Sequence, residues 1–200
     1  MKRAILPLAM LLSLAACVSF GDKPPETLMT LRSADQVTAG QGRQATSANS
    51  LVVATPSTAQ MIDTDRVAVR TTDTSIAYLK NARWAEPPAR LFADLLSEVI
   101  AARTDRVVID RRQYALAPGA RLNGKLEAFE LDTINGEAVV IFNAILAVGD
   151  GKPLATRRFE ARVKTASEKP APVGRALNVA ANQVAAAIAD WIKADGSIGS

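Results

Sequence analysis

Arg121-Leu-Asn-Gly-Lys-Leu-Glu-Ala-Phe-Glu-Leu-Asp-Thr133, then Asn135-Gly136, then Glu137-Ala-Val-Val-Ile-Phe-Asn-Ala-Ile-Leu-Ala-Val148 is the stretch that decides the fold. Asn-Gly between two apolar runs is the strongest short-range hairpin signal, so the arms read as antiparallel strands joined by a tight turn at 135–136. In the second arm Val139, Val140, Ile141, Phe142, Ile145 and Leu146 are apolar on both faces, the pattern of a strand with neighbours on either side. Gly149-Asp150-Gly151 then turns the chain into Leu154–Lys164. There Ala155, Phe159, Ala161 and Val163 alternate with Arg158, Glu160, Arg162 and Lys164, so one face packs and the other is wet.

Upstream, Ser50–Ala54, closed by Pro56, and Arg66–Arg70 read as strands, with the loop Ser57 to Asp65 between them. Ser75–Leu79 is a third, with Asn81-Ala-Arg-Trp-Ala-Glu-Pro-Pro88 at its exit. Asp105–Asp110 is a short strand. Pro88 suits a first helical turn. Behind it Leu91, Phe92, Leu95, Leu96, Val99 and Ile100 recur at helical spacing opposite Asp94, Ser97 and Glu98, which predicts a helix ending near Arg103. After the Pro-rich stop Lys169–Pro172, a second amphipathic helix carries Leu177, Ala180, Ala181, Val184, Ile188, Trp191 and Ile192 on one stripe. The expected architecture is α+β, an antiparallel or mixed sheet of about six strands with two amphipathic helices packed on one side.

The amino terminus speaks to location. Lys2 and Arg3 form a basic n-region, Ile5 to Leu14 an apolar h-region, and Ala15-Ala16 a small-residue cleavage site. A dozen apolar residues are too few to span a bilayer, which takes about 20. Leu14-Ala-Ala-Cys17 resembles a bacterial lipobox, which implies a leader over 1–16 and a lipidated Cys17 as first mature residue. Two acyl chains would make that attachment lasting. Val18 rather than an aspartate follows the cysteine, which leans the sorting toward the outer membrane, facing the periplasm of a Gram-negative envelope. Residues 17–49, rich in Ser, Thr, Gly, Gln and Pro, are expected to form a flexible tether with an edge strand at 27–31, ahead of one domain over 50–200.

Composition narrows the chemistry. Of 24 Lys and Arg, the leader holds two and no acid, leaving 22 against 20 acids, or +2. That balance argues against a nucleic-acid surface, and Arg111-Arg112 and Arg157-Arg158 read as solvated strand ends. The chain has no histidine and one cysteine. Zinc chemistry and a Ser-His-Asp triad have no residues to use, no phosphate loop is present, and no cofactor or metal is expected. Asp63 with Asp65, or Glu127 with Glu130, could pair as a glycosidase requires, but solvated loop and strand acids are the ordinary reading. The expectation is a protein that is not an enzyme.

Contact residues are sought among Arg83, Trp84, Glu86, Met61 and Ile62. Trp and Arg are favoured interface anchors, yet a tryptophan here also suits packing over the first helix, with Arg83 and Glu86 flanking it as an ion pair. Met61 and Ile62 sit among polar residues in the 57–65 loop, as a docking loop or as partly buried side chains. Arg66 and Arg70 read as strand-edge charge.

The lipobox, the patch Leu28–Leu31, the run Leu51–Arg70 and Tyr78-Leu-Lys-Asn-Ala-Arg-Trp-Ala-Glu-Pro-Pro88 before an amphipathic helix together resemble the ABC-type transport auxiliary lipoproteins, PqiC-like proteins associated with MCE lipid transport. The resemblance covers nearly the whole mature chain. It implies a non-catalytic accessory subunit that docks a periplasmic conduit at the outer membrane, with an MCE-domain protein and, through it, an ABC permease and ATPase as partners. Self-association would suit a subunit that meets a ring-shaped partner. The chain departs from the family pattern at Leu28-Met29, where a paired aromatic is expected. The competing expectation is a stand-alone envelope lipoprotein that binds hydrophobic cargo, suggested by the apolar strand Val139–Leu146 and the alanine-rich last helix, or that supports envelope assembly.

Overall fold

The computed structural model describes residues 27–40, 42–110, 118–149 and 154–194. The leader, Cys17, Arg111-Arg112 and Asp150-Gly151 lie outside the described residues. In chain order the elements are β1 (Ser50–Val53), β2 (Ser57–Thr58), β3 (Arg66–Thr72), β4 (Ser75–Arg83), α1 (Pro88–Arg103), β5 (Val107–Val108), β6 (Ala120–Asp132), β7 (Glu137–Val148), β8 (Ala155–Lys164) and α2 (Pro170–Ala194). They build one eight-stranded mixed sheet with two helices, an α+β fold.

Strand β6 organises the sheet. One side pairs with β7 from Ala120↔Val148 to Asp132↔Glu137, and β7 passes the antiparallel ladder on to β8. The other side receives three short parallel strands in succession: β1 at Ala120–Leu122, β2 at Lys125–Leu126 and β3 at Glu130–Asp132. β4 closes on β3, and β5 on β1.

A bulge between Leu126 and Ala128 explains the broken periodicity of β6. Before it Leu122 and Leu126 face the core; after it Phe129 and Leu131 do, because one extra residue resets the alternation of faces. The same core takes Phe92, Leu96 and Ile100 from α1 and Leu177, Val184 and Ile188 from α2. On the sheet's far face Ala128, Val139 and Ile141 form a separate small cluster.

Four local expectations are corrected. The hairpin loop has four residues, since Asp132 already pairs with Glu137; the Asp132 carboxylate accepts the Ile134 and Asn135 N–H groups and the Asn135 carboxamide, and only Gly136 takes a positive φ, 64°. β4 runs on through Arg83, so Asn81–Arg83 is strand and not exit loop. The Pro-rich stop is the first turn of α2, where an absent N–H removes no helical bond. The expected strand at Asp105–Asp110 shrinks to β5, and β2 is too short to leave a periodic signal.

The described residues between 27 and 49 are bonded to the body at several points. Met29 forms a parallel bridge to Trp84, donating to the Arg83 carbonyl and accepting from the Ala85 N–H, each at 2.8 Å. The expected edge strand at 27–31 is thus a single bridge. Beyond it the Asn178 and Asn182 carboxamides of α2 accept the Arg32 and Ala34 N–H groups at 2.7 and 2.8 Å, and Asn182 donates to the Arg32 carbonyl. Arg103 spans Asp35 and Asp190, and Arg43 donates to the carbonyls of Ala101 in the last turn of α1 and of Thr104, which caps it. Satisfied backbone groups, with only Met29 and Leu31 packed against the core, hold this strap, which is why its composition reads as disordered.

Candidate docking rim and groove

The turn between β2 and β3 sorts two neighbouring side chains. The Ile62 and Asp63 N–H groups both donate to the Ala59 carbonyl, which sends Ile62 into the core and leaves Met61 42% exposed. Trp84 is 1% exposed, edge-on to Phe129 with ring centroids 5.4 Å apart. Its backbone N–H donates to the Asp65 carbonyl at 2.7 Å, while its indole N–H finds no acceptor among the described residues. Trp84 and Ile62 are therefore packing residues, and of the five contact candidates only Met61, Arg83 and Glu86 present exposed side chains.

The expected Arg83–Glu86 pair is not formed. Arg83 meets Asp65 at 2.8 Å, and Glu86 lies 3.8 Å from Arg90, one helical turn on. Because β4 continues to Arg83, residues 83 and 84 point to opposite faces; Trp84 goes inward and Arg83 outward, over the approach to β3. Beside it the Arg66 guanidinium stacks 3.8 Å from the Tyr78 ring, and the Tyr78 hydroxyl donates to the Met61 carbonyl at 3.4 Å. Met61, Tyr78, Arg66, Asp65 and Arg83 thus form a continuous rim. Arg66 read from sequence as mere edge charge; only the cross-strand register Ala68↔Tyr78 brings the cation over the ring.

Three of the four acids singled out in the sequence are ion-paired with arginines. Asp65 is engaged by Arg83. Glu130, buried, is gripped by Arg70 through Nε and a terminal nitrogen at 2.7 and 2.6 Å. Glu127 accepts from Asn143 at 2.7 Å and Arg158 at 2.6 Å; the Asn143 hydrogen bond, with Arg158 beside it, holds its carboxyl below the usual glutamate range. A general acid requires the opposite shift.

An open groove of about 730 Å³ lies between α1 and the ends of β1 and β5. Glu86, Arg90, Asp94 and Asp110 line it together with Thr55, Ser97 and short apolar side chains. Partial burial, and then Glu86, raises the Asp94 carboxyl above the ordinary aspartate value. Charged walls suit a polar contact and are poor chemistry for an acyl chain, which disfavours hydrophobic cargo here. Sequence periodicity marked Asp94 and Ser97 as the polar side of α1; nothing local indicated that strand ends would close a groove over them. Among the described residues no group of three or more potential ligands could hold a metal ion, and no helix is long and apolar enough to cross a membrane.

The profile of the family described as "ABC-type transport auxiliary lipoprotein component" matches residues 30–189. No curated protein matches the chain. Among solved structures, a Xanthomonas campestris protein assigned to the family model DUF330 is similar at 23% identity and TM-score 0.70, covering 84% of this chain and 94% of that one. A crystal structure of an uncharacterised protein is similar at 18% identity and TM-score 0.65, covering 83% and 99%. A PelC dodecamer from Paraburkholderia phytofirmans follows at 14% identity and TM-score 0.45, covering 74% and 90%. The first two likenesses are likenesses of fold.

Proposed function

Because the chain belongs to the ABC-type transport auxiliary lipoprotein component family, we propose that it is a lipid-anchored, non-catalytic accessory subunit of an ABC/MCE-type intermembrane lipid transport system. It holds the periplasmic conduit at the outer membrane. The observation that carries this reading is the family match beginning at residue 30, close behind the Leu14-Ala-Ala-Cys17 run. Acylated Cys17 supplies the foot, and residues 50–200 supply the body. The absence of histidine from the sequence and the ion-paired carboxylates support a binding role over bond cleavage. Met61, Arg83 and Glu86 are the contact candidates left at the surface. Affinity purification of the native lipoprotein from gently solubilised envelopes tests the reading. An MCE-domain protein with its permease and ATPase is the expected catch, and a clean preparation lacking all three defeats the proposal. Replacing Cys17 with Ser should release the protein from the membrane fraction.

A further inference from the structure

Leu28 and Met61 are exposed apolar side chains, 57% and 42%, at the two ends of the Arg83–Asp65–Tyr78 rim. Backbone alternation places Leu28 there. Met29 turns inward, its side chain against Gly174 of α2, so its neighbour turns outward past Arg83, to whose carbonyl Met29 is bonded. Arg66 and Arg83 are Cα partners across β3 and β4, and Tyr78 stands on the same face as Arg66. Two flexible apolar side chains, a tyrosine and outward-facing arginines make the composition of an interfacial surface. The apolar groups enter the acyl boundary, while ring and guanidinium remain at headgroup depth.

What covers this patch follows from where the chain leaves it. Ten residues, Val18 to Thr27, separate Cys17 from Leu28; fully extended they span at most about 35 Å. Resting on the lipid-anchor reading above, we propose that the rim Leu28–Arg83–Tyr78–Met61 is the face that lies on the bilayer, with Leu28 and Met61 inserted at the headgroup boundary. The strap fixes this orientation. Had residues 27–49 been slack, the leash would be three times as long and any face could turn toward the lipid; with Asn178 and Asn182 clamping Arg32 and Ala34, the chain departs from the rim itself. The charge agrees. Within the rim Arg83 is paired with Asp65, which leaves the Arg66 guanidinium over Tyr78 as its net positive charge and suits a leaflet containing anionic phospholipid.

The test uses the full-length acylated protein in vesicles of phosphatidylethanolamine and phosphatidylglycerol. A fluorophore is attached in turn to Leu28→Cys, Met61→Cys, and two comparably exposed controls elsewhere, Ile134→Cys and Val179→Cys. Quenching by spin-labelled lipid should be several-fold stronger at positions 28 and 61 than at the controls. Equal quenching at all four positions overturns the proposal. So does shielding of 28 and 61 in native envelopes without lipid contact in protein-free vesicles, which would hand the rim to a protein neighbour. Vesicle flotation of the wild-type chain is read separately: failure to float removes the anchor, and this inference with it, whereas flotation with equal quenching spares the anchor and sinks only the orientation.

Discussion

The Phe142 ring occupies the space that a side chain on Gly124 would need. A β-carbon at position 124 would collide with the Phe142 ring and with the Asn143 carbonyl across the β6–β7 ladder. The glycine is needed for close approach, not for a turn, and it lets Phe142 reach Phe92 of α1 in an edge-on contact at 5.4 Å. Gly124→Ala should therefore destabilise by about 1–3 kcal/mol, the range for overpacking a tight core. Chemical denaturation of the purified protein would show it as a lower midpoint at unchanged slope.

The strap should be separable from the body. Asn182 accepts from Ala34 and donates to Arg32, and no large apolar side chain of 30–40 is fully buried. Asn182→Ala removes those bonds at a cost of about 1–2 kcal/mol. Local opening of the strap should then outrun global unfolding. Limited proteolysis should cut faster within 30–45 while the thermal midpoint barely moves; equal slowing or speeding of both would mean that strap and body unfold together.

Acid should weaken the far sheet face first. Burial alone would push Asp132 up, but its hydrogen bonds from Asn135 and Ile134, with Arg162 beside it, hold it below the usual aspartate range. Glu127 is held low as well, chiefly by Asn143. A depressed folded-state value adds stability that is present above the unfolded value and is lost as pH falls through the folded one. The loss should thus set in below about pH 4, near the unfolded carboxylate values. Asp132→Asn should flatten that part of the stability curve. Asp94 carries the opposite sign: raised by partial burial and by Glu86, its contribution is present at low pH and lost as pH rises, so Asp94→Asn should gain slightly at neutral pH.

Where the sequence was readable, one strong local signal sufficed. The β6–β7 pairing followed from Asn135-Gly136 between apolar runs, α1 from the spacing of Leu91 to Ile100, and β8 from its alternation. What stayed hidden depends on register or on distant backbone. The bulge at Glu127, the reach of β4 to Arg83, and the strap are set by groups far apart in the chain, such as Ala34 with Asn182. The contact candidates divided for the same reason. Adjacent residues such as Met61 and Ile62 are both apolar, and the turn bonded to Ala59 sets which is inside.

Trp84 and Met61 make the sharpest contrast for mutagenesis. Trp84 packs edge-on to Phe129 with its ring enclosed, so Trp84→Ala should cost about 3–5 kcal/mol in lost burial and cavity. Trp84→Phe should cost far less, because it keeps the ring contact and removes an indole N–H that has no acceptor among the described residues. Met61→Ser, at an exposed side chain, should stay within about 0.5 kcal/mol of wild type. If Trp84 were an anchor for a neighbour, the Phe variant would fold well yet lose its partner. As a core residue it should retain the partner in proportion to its folded fraction. Binding and unfolding measured on the same three proteins separate the two roles, and Met61→Ser is the variant expected to weaken lipid contact without altering stability.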